Sequence, residues 1–289
     1  MRPGVDIVVP FRGEPKELDD LRERLARLRL GPEDSVLVVN NTPAGRSLPG
    51  RVPVLHAAEV ATPAYARNQG AELGTAQWIA FLDADTAAPA ELLDLYFDPP
   101  PGDQTGLLAG GIVDEPIPPD GPPAARYGYL RRSMSQENTF SFGTWAFGQT
   151  ANAACRRVAF EAVGGFRENI RAAEDADLTY RLRAAGWQVE RRDHAAVVHA
   201  NRQTVRSFVG QKALHGAGGG WLAANYPGSF PGHRRPGLLW WGARHLVTGL
   251  IGAARARDRD GALWAVFEPL EIISRELGRS LSNDRPRLR

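Results

Sequence analysis

The sequence predicts an α/β fold with a Rossmann-like, mostly parallel central sheet flanked by helices, followed by a helical C-terminal appendage. Three observations support this prediction. Short apolar runs alternate with amphipathic segments in the N-terminal part, which is typical of parallel strands joined by crossover helices. The run at residues 78–82 is apolar throughout and suits a strand buried on both faces. Helical patterns follow the last predicted strand. We divide the chain into a domain at 1–220 and a helical extension at 221–289.

The predicted elements begin with a strand at residues 5–10, which Pro10 closes because proline cannot donate within a ladder. Leucines recur at helical spacing over 16–30 and predict the first helix. Thr62-Pro63 has the form of an N-cap and a first helical residue. Further strands are predicted at 36–39, 52–55, 78–82, 107–113 and 195–199, further helices at 62–73, 90–97, 156–163, 174–186 and 203–215, and a mobile glycine segment at 216–220.

The composition of the chain indicates its cellular compartment and its classes of partner. With 43% hydrophobic and 24% charged residues, the chain resembles a soluble globular protein. Its single cysteine, Cys155, excludes an intrachain disulfide framework, and no secretory signal is recognised, so we expect a cytoplasmic location, with the inner face of the membrane as an alternative. Residues 233–289 contain 11 arginines against 6 acids, but lysine accounts for two of all 35 basic residues. We therefore infer a general arginine bias and expect no nucleic-acid partner.

Asp83 and Asp85 follow the predicted strand at 78–82 and are the first candidates for a functional site. Ligands of open α/β sheets gather beyond the carboxyl ends of the strands, and residues i and i+2 of an extended chain point to the same side. Both carboxylates then face one polar ligand, such as a hard divalent cation that carries phosphate oxygens. The alternative is a solvated turn, where aspartate is common.

A second acidic group, Glu174, Asp175 and Asp177, opens the predicted helix at residue 174. Acids in a first turn stabilise a helix through its dipole, which is a sufficient structural explanation. A carboxylate held there also stays ionised at neutral pH, as a general base must be to accept a proton from a hydroxyl. His199 ends the strand at 195–199 and is interpreted either as a core residue or as a metal ligand.

Taken together and in this order, these motifs resemble those of the inverting family 2 glycosyltransferases of the GT-A fold. The resemblance extends over roughly residues 5–220, and the segments that carry it are Val8-Val9-Pro10, Ala66-Arg67-Asn68-Gln69-Gly70, Phe81-Leu82-Asp83-Ala84-Asp85, Gly164-Gly165-Phe166, Glu174-Asp175-Ala176-Asp177-Leu178 with Arg181, and Val198-His199. The family implies transfer of a sugar from a nucleotide-diphosphate sugar to a hydroxyl of a small-molecule, glycan or lipid-linked acceptor.

The same resemblance implies roles for single residues. Asp83 and Asp85 would engage the ribose and, through Mg²⁺ or Mn²⁺, the diphosphate, with Asp85 the more direct metal ligand and His199 completing the coordination. Asp175 would be the catalytic base, and Glu174 its neighbour in the acceptor site. The residues expected to line the donor nucleotide are Pro10, Phe11, Arg12, Asn40 and Arg67.

Two departures from the family pattern matter. Many relatives carry an acidic pair where this chain has Asn40-Asn41, and an amide both donates and accepts, so the base preference of the donor site stays open. Gln211-Lys-Ala-Leu-His215 replaces the Gln-x-x-Arg-Trp element of processive synthases, so we expect a single transfer. One rival function is a sugar-phosphate nucleotidyltransferase, but that class carries a glycine-rich phosphate loop near the first strand, and the segment Pro10-Phe-Arg-Gly-Glu14 is not such a loop. The other rival is a non-catalytic carbohydrate-binding protein of the same fold.

Residues 237–256 contain two apolar runs, but Arg244 and His245 interrupt a stretch already short of the roughly 20 residues that a membrane span needs. We interpret this segment as a packed helix. Trp240, Trp241 and the arginines offer a second interpretation, in which the C-terminal helices make peripheral contact with a membrane beside a lipid-linked acceptor.

Overall fold

The computed structural model describes residues 2–232 and 237–284, so parts of the arginine-rich segment 233–289 lie outside the described residues. The chain forms two compact units. The first contains the described residues of 1–113 and 134–199, with Asp284, and the second contains 114–133 and the described residues of 200–283. Residue 220, the predicted domain boundary, lies inside a helix of the second unit. The division into 1–220 and 221–289 remains a prediction.

The first unit begins with parallel strands joined by helices, as predicted. Its elements are β1 (Val5–Phe11), α1 (Pro15–Leu25), β2 (Ser35–Asn40), β3 (Val54–His56), α2 (Pro63–Leu73) and β4 (Trp78–Leu82). Parallel pairing joins β1 to β2 and β4, and β2 to β3. Thr62 caps α2 as predicted, because its Oγ1 accepts from the Tyr65 amide at 3.2 Å.

The chain continues with β5 (Thr86–Ala87), α3 (Leu92–Tyr96), β6 (Thr105–Asp114), α4 (Pro123–Arg131), α5 (Gln136–Phe140), β7 (Asn152–Arg156), α6 (Arg157–Ala162), α7 (Glu174–Ala184) and β8 (Gln188–His199). The strand order is β3-β2-β1-β4-β7-β6-β8-β5. Strand β7 runs antiparallel to β4 and β6, and β8 runs antiparallel to β5. The sheet is therefore parallel around β1 and becomes antiparallel where β7 joins β4.

Helices cover both faces of this sheet, so its central strands are buried. Alternate residues of β1 divide between the faces, because Val5, Ile7 and Val9 pack with the leucines of α1, whereas Val8 packs with the alanines of α2. Every residue of β4 is buried, which accounts for its continuous apolar run. The predicted α/β fold class is confirmed.

The second unit consists of α4 with α8 (Val205–Asn225), α9 (Leu238–Ala256) and α10 (Arg259–Gly278). The prediction of a mobile glycine segment at 216–220 is wrong, since α8 continues through it. A Cβ on Gly216 would lie 2.0 Å from the Arg275 carbonyl oxygen of α10. The glycines thus allow close backbone contact between the two helices.

Within the described part of the chain, no helix combines the length and the apolar character that crossing a bilayer demands. The segment 237–256, interpreted above as a packed helix, forms α9 and packs against α10 through Gly242, which faces Pro269 and Ile273.

Candidate active site

Asp83 and Asp85 lie immediately beyond the buried strand β4, at its carboxyl end. The Asp83 amide donates to the Ala151 carbonyl at 3.2 Å, and the Asp83 carbonyl accepts from the Thr86 amide at 3.1 Å, so the backbone turns directly after the strand. The two aspartate side chains are 30% and 32% exposed. Both carboxylates are therefore accessible to a ligand at the edge of the sheet.

His199 reaches the same place from the end of β8, because the pairing of β8 with β5 sets His199 opposite Thr86. The imidazole is buried, and its Nε2 lies 3.3 Å from Asp85 Oδ1. One ligand atom each from Asp83, Asp85 and His199 lies within 4.8 Å of the other two. Carboxylate oxygens suit Mg²⁺ and Mn²⁺, and imidazole is a common metal ligand, so this donor set fits a divalent cation.

Arg67, in the middle of α2, connects the two acidic groups. Its Nη2 donates to Asp83 Oδ1 at 2.6 Å, and its Nη1 donates to Glu174 Oε1 at 2.8 Å. The side chain is 3% exposed. Burial opposes the charged form, but the two carboxylates outweigh burial and raise the pKa of Arg67. The sequence predicted a donor-lining role for Arg67 and gave no sign of this double ion pair.

Asn68, the neighbour of Arg67, holds the Gly164-Gly165-Phe166 turn. Its Oδ1 accepts from the Phe166 amide and its Nδ2 donates to the Phe166 carbonyl, both at 2.9 Å. Gly165 has a φ of 64°, and a Cβ there would lie 2.8 Å from Asn68 Oδ1, so the turn requires glycine. The Phe166 ring centre consequently lies 5.6 Å from Arg67 Cζ. Two separate sequence motifs thus form one support for Arg67.

The acids in the first turn of α7 have different surroundings. Glu174 is buried against Arg67. Asp177 is fully buried and accepts from Arg167 Nε at 3.0 Å and from Arg181 Nη2 at 2.6 Å, so it is an internal ion-pair residue. Asp175 is partly exposed, and none of the described basic side chains forms an ion pair with it. Of the three, Asp175 is therefore the candidate for contact with an incoming hydroxyl.

The backbone before these acids is strained. Ala173 has a φ of 70°, in the left-handed region that costs a residue with a Cβ roughly 1–2 kcal/mol. Such conformations persist where the surrounding structure fixes them, and they cluster at functional sites. This turn sets the direction in which Glu174 and Asp175 leave the backbone.

Burial raises the pKa of Asp175 to about 7, and the negative charge of Glu174 acts in the same direction. The Ala176 amide, which donates to Asp175 Oδ1 at 2.8 Å, and the charge of Arg67 oppose this rise in part. The sequence predicted a carboxylate fully ionised at neutral pH, whereas a group with this pKa is near half protonation there. A pKa close to the working pH suits a general base.

Four of the residues expected at the nucleotide lie at the carboxyl ends of β1 and β2: Pro10 and Phe11 end β1, Arg12 follows it directly, and Asn40 ends β2. Strand register sets Phe11 opposite Asn40, and the Asn41 amide donates to the Phe11 carbonyl at 2.7 Å. Phe11 and Asn40 are buried, Pro10 is half-buried, and Arg12 is exposed. Arg12 is therefore the accessible positive charge of this group.

The Asn40-Asn41 pair, which replaces the acidic pair of many relatives, has internal hydrogen bonds. Asn40 Oδ1 accepts from the Thr42 amide at 3.0 Å. Asn41 Nδ2 donates to the carbonyls of Ala57 and Val60, at 2.6 and 2.9 Å. An aspartate at position 41 would have no N–H to donate to these carbonyls, so the hydrogen bonding explains why asparagine stands there.

Comparison with known proteins identifies the family. The family model described as "Glycosyl transferase family 2" matches residues 6–164, more than half of the chain. This chain belongs to glycosyl transferase family 2. The resemblance inferred from the sequence motifs is therefore confirmed, and with it the class of transferase.

Two relatives from strains of Mycobacterium tuberculosis, both named "Pre-mycofactocin glycosyltransferase", are 30% identical in alignments that cover 77% of this chain and 48% of theirs. The chain thus spans about half the length of the curated relatives it matches. Among solved structures, "Mannosyltransferase PcManGT from Pyrobaculum calidifontis in complex with GDP-Man and Mn2+" gives a TM-score of 0.65 at 17% identity, with 95% of this chain and 86% of that chain covered. "S. aureus TarS 1-349 in complex with UDP-GlcNAc" gives 0.50 at 14% identity, with 91% and 90% covered. These likenesses confirm the GT-A fold.

Proposed function

We propose that this protein transfers a sugar from a nucleotide-diphosphate sugar to an acceptor hydroxyl, with inversion at the anomeric carbon and with Asp175 as the general base. The observation that carries the proposal is the pair of acidic groups joined by Arg67. One group, Asp83, Asp85 and His199, suits a cation and a diphosphate, and the other contains a carboxylate whose pKa is about 7. The similar structures in complex with GDP-Man and Mn²⁺, and with UDP-GlcNAc, support a nucleotide-sugar donor.

On the donor side, Asp83, Asp85 and His199 would hold Mn²⁺ or Mg²⁺. When bound, such an ion supplies Lewis-acid stabilisation of the negative charge that develops on the leaving diphosphate. Arg12, which is exposed directly after β1, would contribute positive charge to the same anion. Pro10, Phe11 and Asn40 would line the nucleoside beside it.

On the acceptor side, the Asp175 carboxylate would accept the proton of the acceptor hydroxyl as the acceptor oxygen forms its bond to the anomeric carbon. The bond from that carbon to the diphosphate oxygen breaks, and its electron pair leaves with the nucleoside diphosphate. Attack from the face opposite the leaving group inverts the configuration. Glu174 is held in an ion pair with Arg67, so it would orient the acceptor and tune Asp175 and would not take the proton itself.

We retain the predicted division at residue 220 as part of this proposal, because every residue named for donor, cation or base lies within 1–220. The acceptor is proposed to be a small molecule, a glycan or a lipid-linked sugar. The nucleotide base and the transferred sugar are left to the experiment.

The test is a screen of nucleotide sugars with Mn²⁺, in which release of nucleoside diphosphate and the anomeric configuration of the product are measured together. Release that is lost in Asp175→Asn and retained in Asp103→Asn, an exposed loop aspartate, supports the proposal. Formation of pyrophosphate from a nucleoside triphosphate and a sugar phosphate would assign a nucleotidyltransferase instead. Tight donor binding with no turnover on any acceptor would assign a non-catalytic binding protein.

A further inference from the structure

Helix α9 packs against α10 through small residues and directs its large apolar residues to the solvent. Gly242 and Ala253 are its buried residues, and a Cβ on Gly249 would lie 2.6 Å from Ala265 Cβ. By contrast, Trp240 and Val247 are 67% and 56% exposed. An amphipathic helix that only serves its own core has the reverse arrangement, with large apolar residues inside. The outward face of α9 is therefore suited to an apolar environment that the described chain does not supply.

The exposed apolar residues form one continuous stripe. At 3.6 residues per turn, Trp240, Val247, Ile251 and Ala254 fall within about 60° of arc around the helix axis. Leu239 and Leu250, which are also exposed, widen the stripe along one edge. We name these six residues the α9 stripe.

Arginines border the other edge of the α9 stripe. Arg244 and Arg255 lie on the same side of it by helical geometry, and Arg244 Cζ lies 5.6 Å from the centre of the Trp240 ring. Arg257 and Arg259 follow at the end of the helix, and α9 itself contains no acid. In the part of the chain that the structure describes, none of these four guanidiniums forms an ion pair. The stripe thus carries an uncompensated positive border.

We propose that the α9 stripe docks on an anionic lipid bilayer, with the helix axis in the plane of the headgroups. Acid-free helices with a basic edge and a tryptophan-bearing apolar face bind at this boundary, where apolar side chains enter the acyl region and arginines meet lipid phosphates. A second copy of the chain fits less well, because a self-complementary contact would bring arginine borders of like charge together. The proposal is independent of the donor chemistry, since it involves no residue of the candidate active site.

The test is vesicle flotation of the full chain with phosphatidylcholine alone and with phosphatidylcholine containing phosphatidylglycerol. We expect binding to the anionic vesicles, weakened by high salt because screening shortens the reach of the arginines. Val247→Glu should lower the partition coefficient by about tenfold or more, since it places a charge within the apolar contact. Replacing both Arg244 and Arg255 by glutamate should also lower the partition coefficient by about tenfold or more, because basic residues contribute directly to binding at an anionic surface.

Leu73→Glu is the matched control, because Leu73 is 64% exposed at the end of α2 and belongs to the other unit. It should bind vesicles as the parent does, and every variant should keep parental donor turnover. Equal binding to both kinds of vesicle, or parental binding by Val247→Glu, would overturn the proposal. So would a solution dimer, abolished by Val247→Glu, in a protein that does not bind anionic vesicles, because the stripe would then belong to a second copy.

Discussion

Arg67 and Glu174 form an ion pair of 2.8 Å between residues that lie 107 positions apart in the sequence. The second arm of the same guanidinium holds Asp83 at 2.6 Å. Asp83, proposed to face the donor, and Glu174, beside the proposed base, therefore share the buried guanidinium of Arg67. Asp175, which has no such partner among the described residues, keeps the raised pKa.

Asp175→Asn should lower transfer by the roughly 10²- to 10⁴-fold that general base catalysis contributes, with donor affinity near that of the parent. Asparagine retains the shape and much of the hydrogen bonding but cannot accept the proton. Single-turnover rates and calorimetric donor affinity measured on the same variant decide the matter. Asp177→Asn is the matched comparison in the same turn, and it should lower the free energy of unfolding because Arg167 and Arg181 lose their charged partner. Near-normal transfer by Asp175→Asn would remove this residue from the mechanism.

The transfer rate should rise with pH through about 7, because Asp175 must lose its proton to act as a base. Stability should change in the opposite direction. The pKa of Asp175 in the folded chain lies above its ordinary value of 3.8, so folding favours the protonated form, and the unfavourable contribution of the carboxylate grows as pH rises from about 4 toward 7. Asp175→Asn should unfold at a higher temperature than the parent at alkaline pH and at a similar one near pH 4. A rate independent of pH across this window contradicts the assignment.

Asp85→Ala should abolish the dependence of donor binding on a divalent cation. The anionic diphosphate would otherwise lie against the carboxylates of Asp83 and Asp85 with no bound cation to bridge them. Titration calorimetry of a nucleotide sugar, with Mn²⁺ and with excess chelator, measures this dependence, and Asp103→Ala serves as the control. If the parent binds the donor equally well in chelator, the cation assignment is wrong.

His199→Ala should weaken Mn²⁺ binding by roughly tenfold or more, since even the hydrogen-bond partners of metal ligands contribute about 10- to 100-fold. Acidification should weaken Mn²⁺ binding by the parent as well, because protonated imidazole does not coordinate. The control is His194→Ala, on the same strand, whose Nε2 contacts backbone carbonyls of Leu95 and Asp98. Unchanged Mn²⁺ affinity in His199→Ala would return this histidine to a purely structural role.

Arg67→Met should lower the free energy of unfolding by about 3–5 kcal/mol, because it leaves Asp83 and Glu174 as uncompensated charges beside a buried apolar side chain. Arg157→Met is the control, because it removes another largely buried ion pair, with Asp6 near the start of β1. It separates a general loss of stability from a specific loss of donor binding. Both variants should lose stability in urea titrations, but donor affinity should fall in Arg67→Met alone. Equal donor affinity in the two variants would limit Arg67 to a structural role.

The parallel part of the fold was predictable because its strands are short apolar runs followed by turn residues. Strand β8 was predicted at 195–199 but extends over Gln188–His199. The prediction missed its first half because that half is polar and its charged side chains pair with one another. Arg192, for example, is buried with its Nη2 2.6 Å from Glu190 Oε2. No apolar alternation marks such a strand. The glycine-rich segment 216–220 was wrongly predicted to be mobile for a related reason, since its helical conformation depends on packing against α10 and not on local propensity.

The residue types of the candidate site followed from the motifs, but their connections did not. Asp83 and Asp85 are recognisable because a strand ends directly before them. The double ion pair of Arg67 joins segments far apart in the chain, and a single sequence carries no signal for such a contact. The raised pKa of Asp175 comes from burial and from the nearby charge of Glu174, which a helix-terminus argument does not include, so that argument predicted an ionised carboxylate.

The close contact of α8 with α10 also bears on how this protein tolerates genetic change. Gly216 and Gly278 each face a backbone carbonyl oxygen of the other helix, at 2.0 Å from where a Cβ would stand. Alanine is one nucleotide away from any glycine codon, so the smallest coding step at either position already introduces the methyl group that the contact excludes. Random mutagenesis should therefore yield inactive clones with substitutions at these two positions. Their low activity should reflect a smaller amount of folded protein and not a change in the active site.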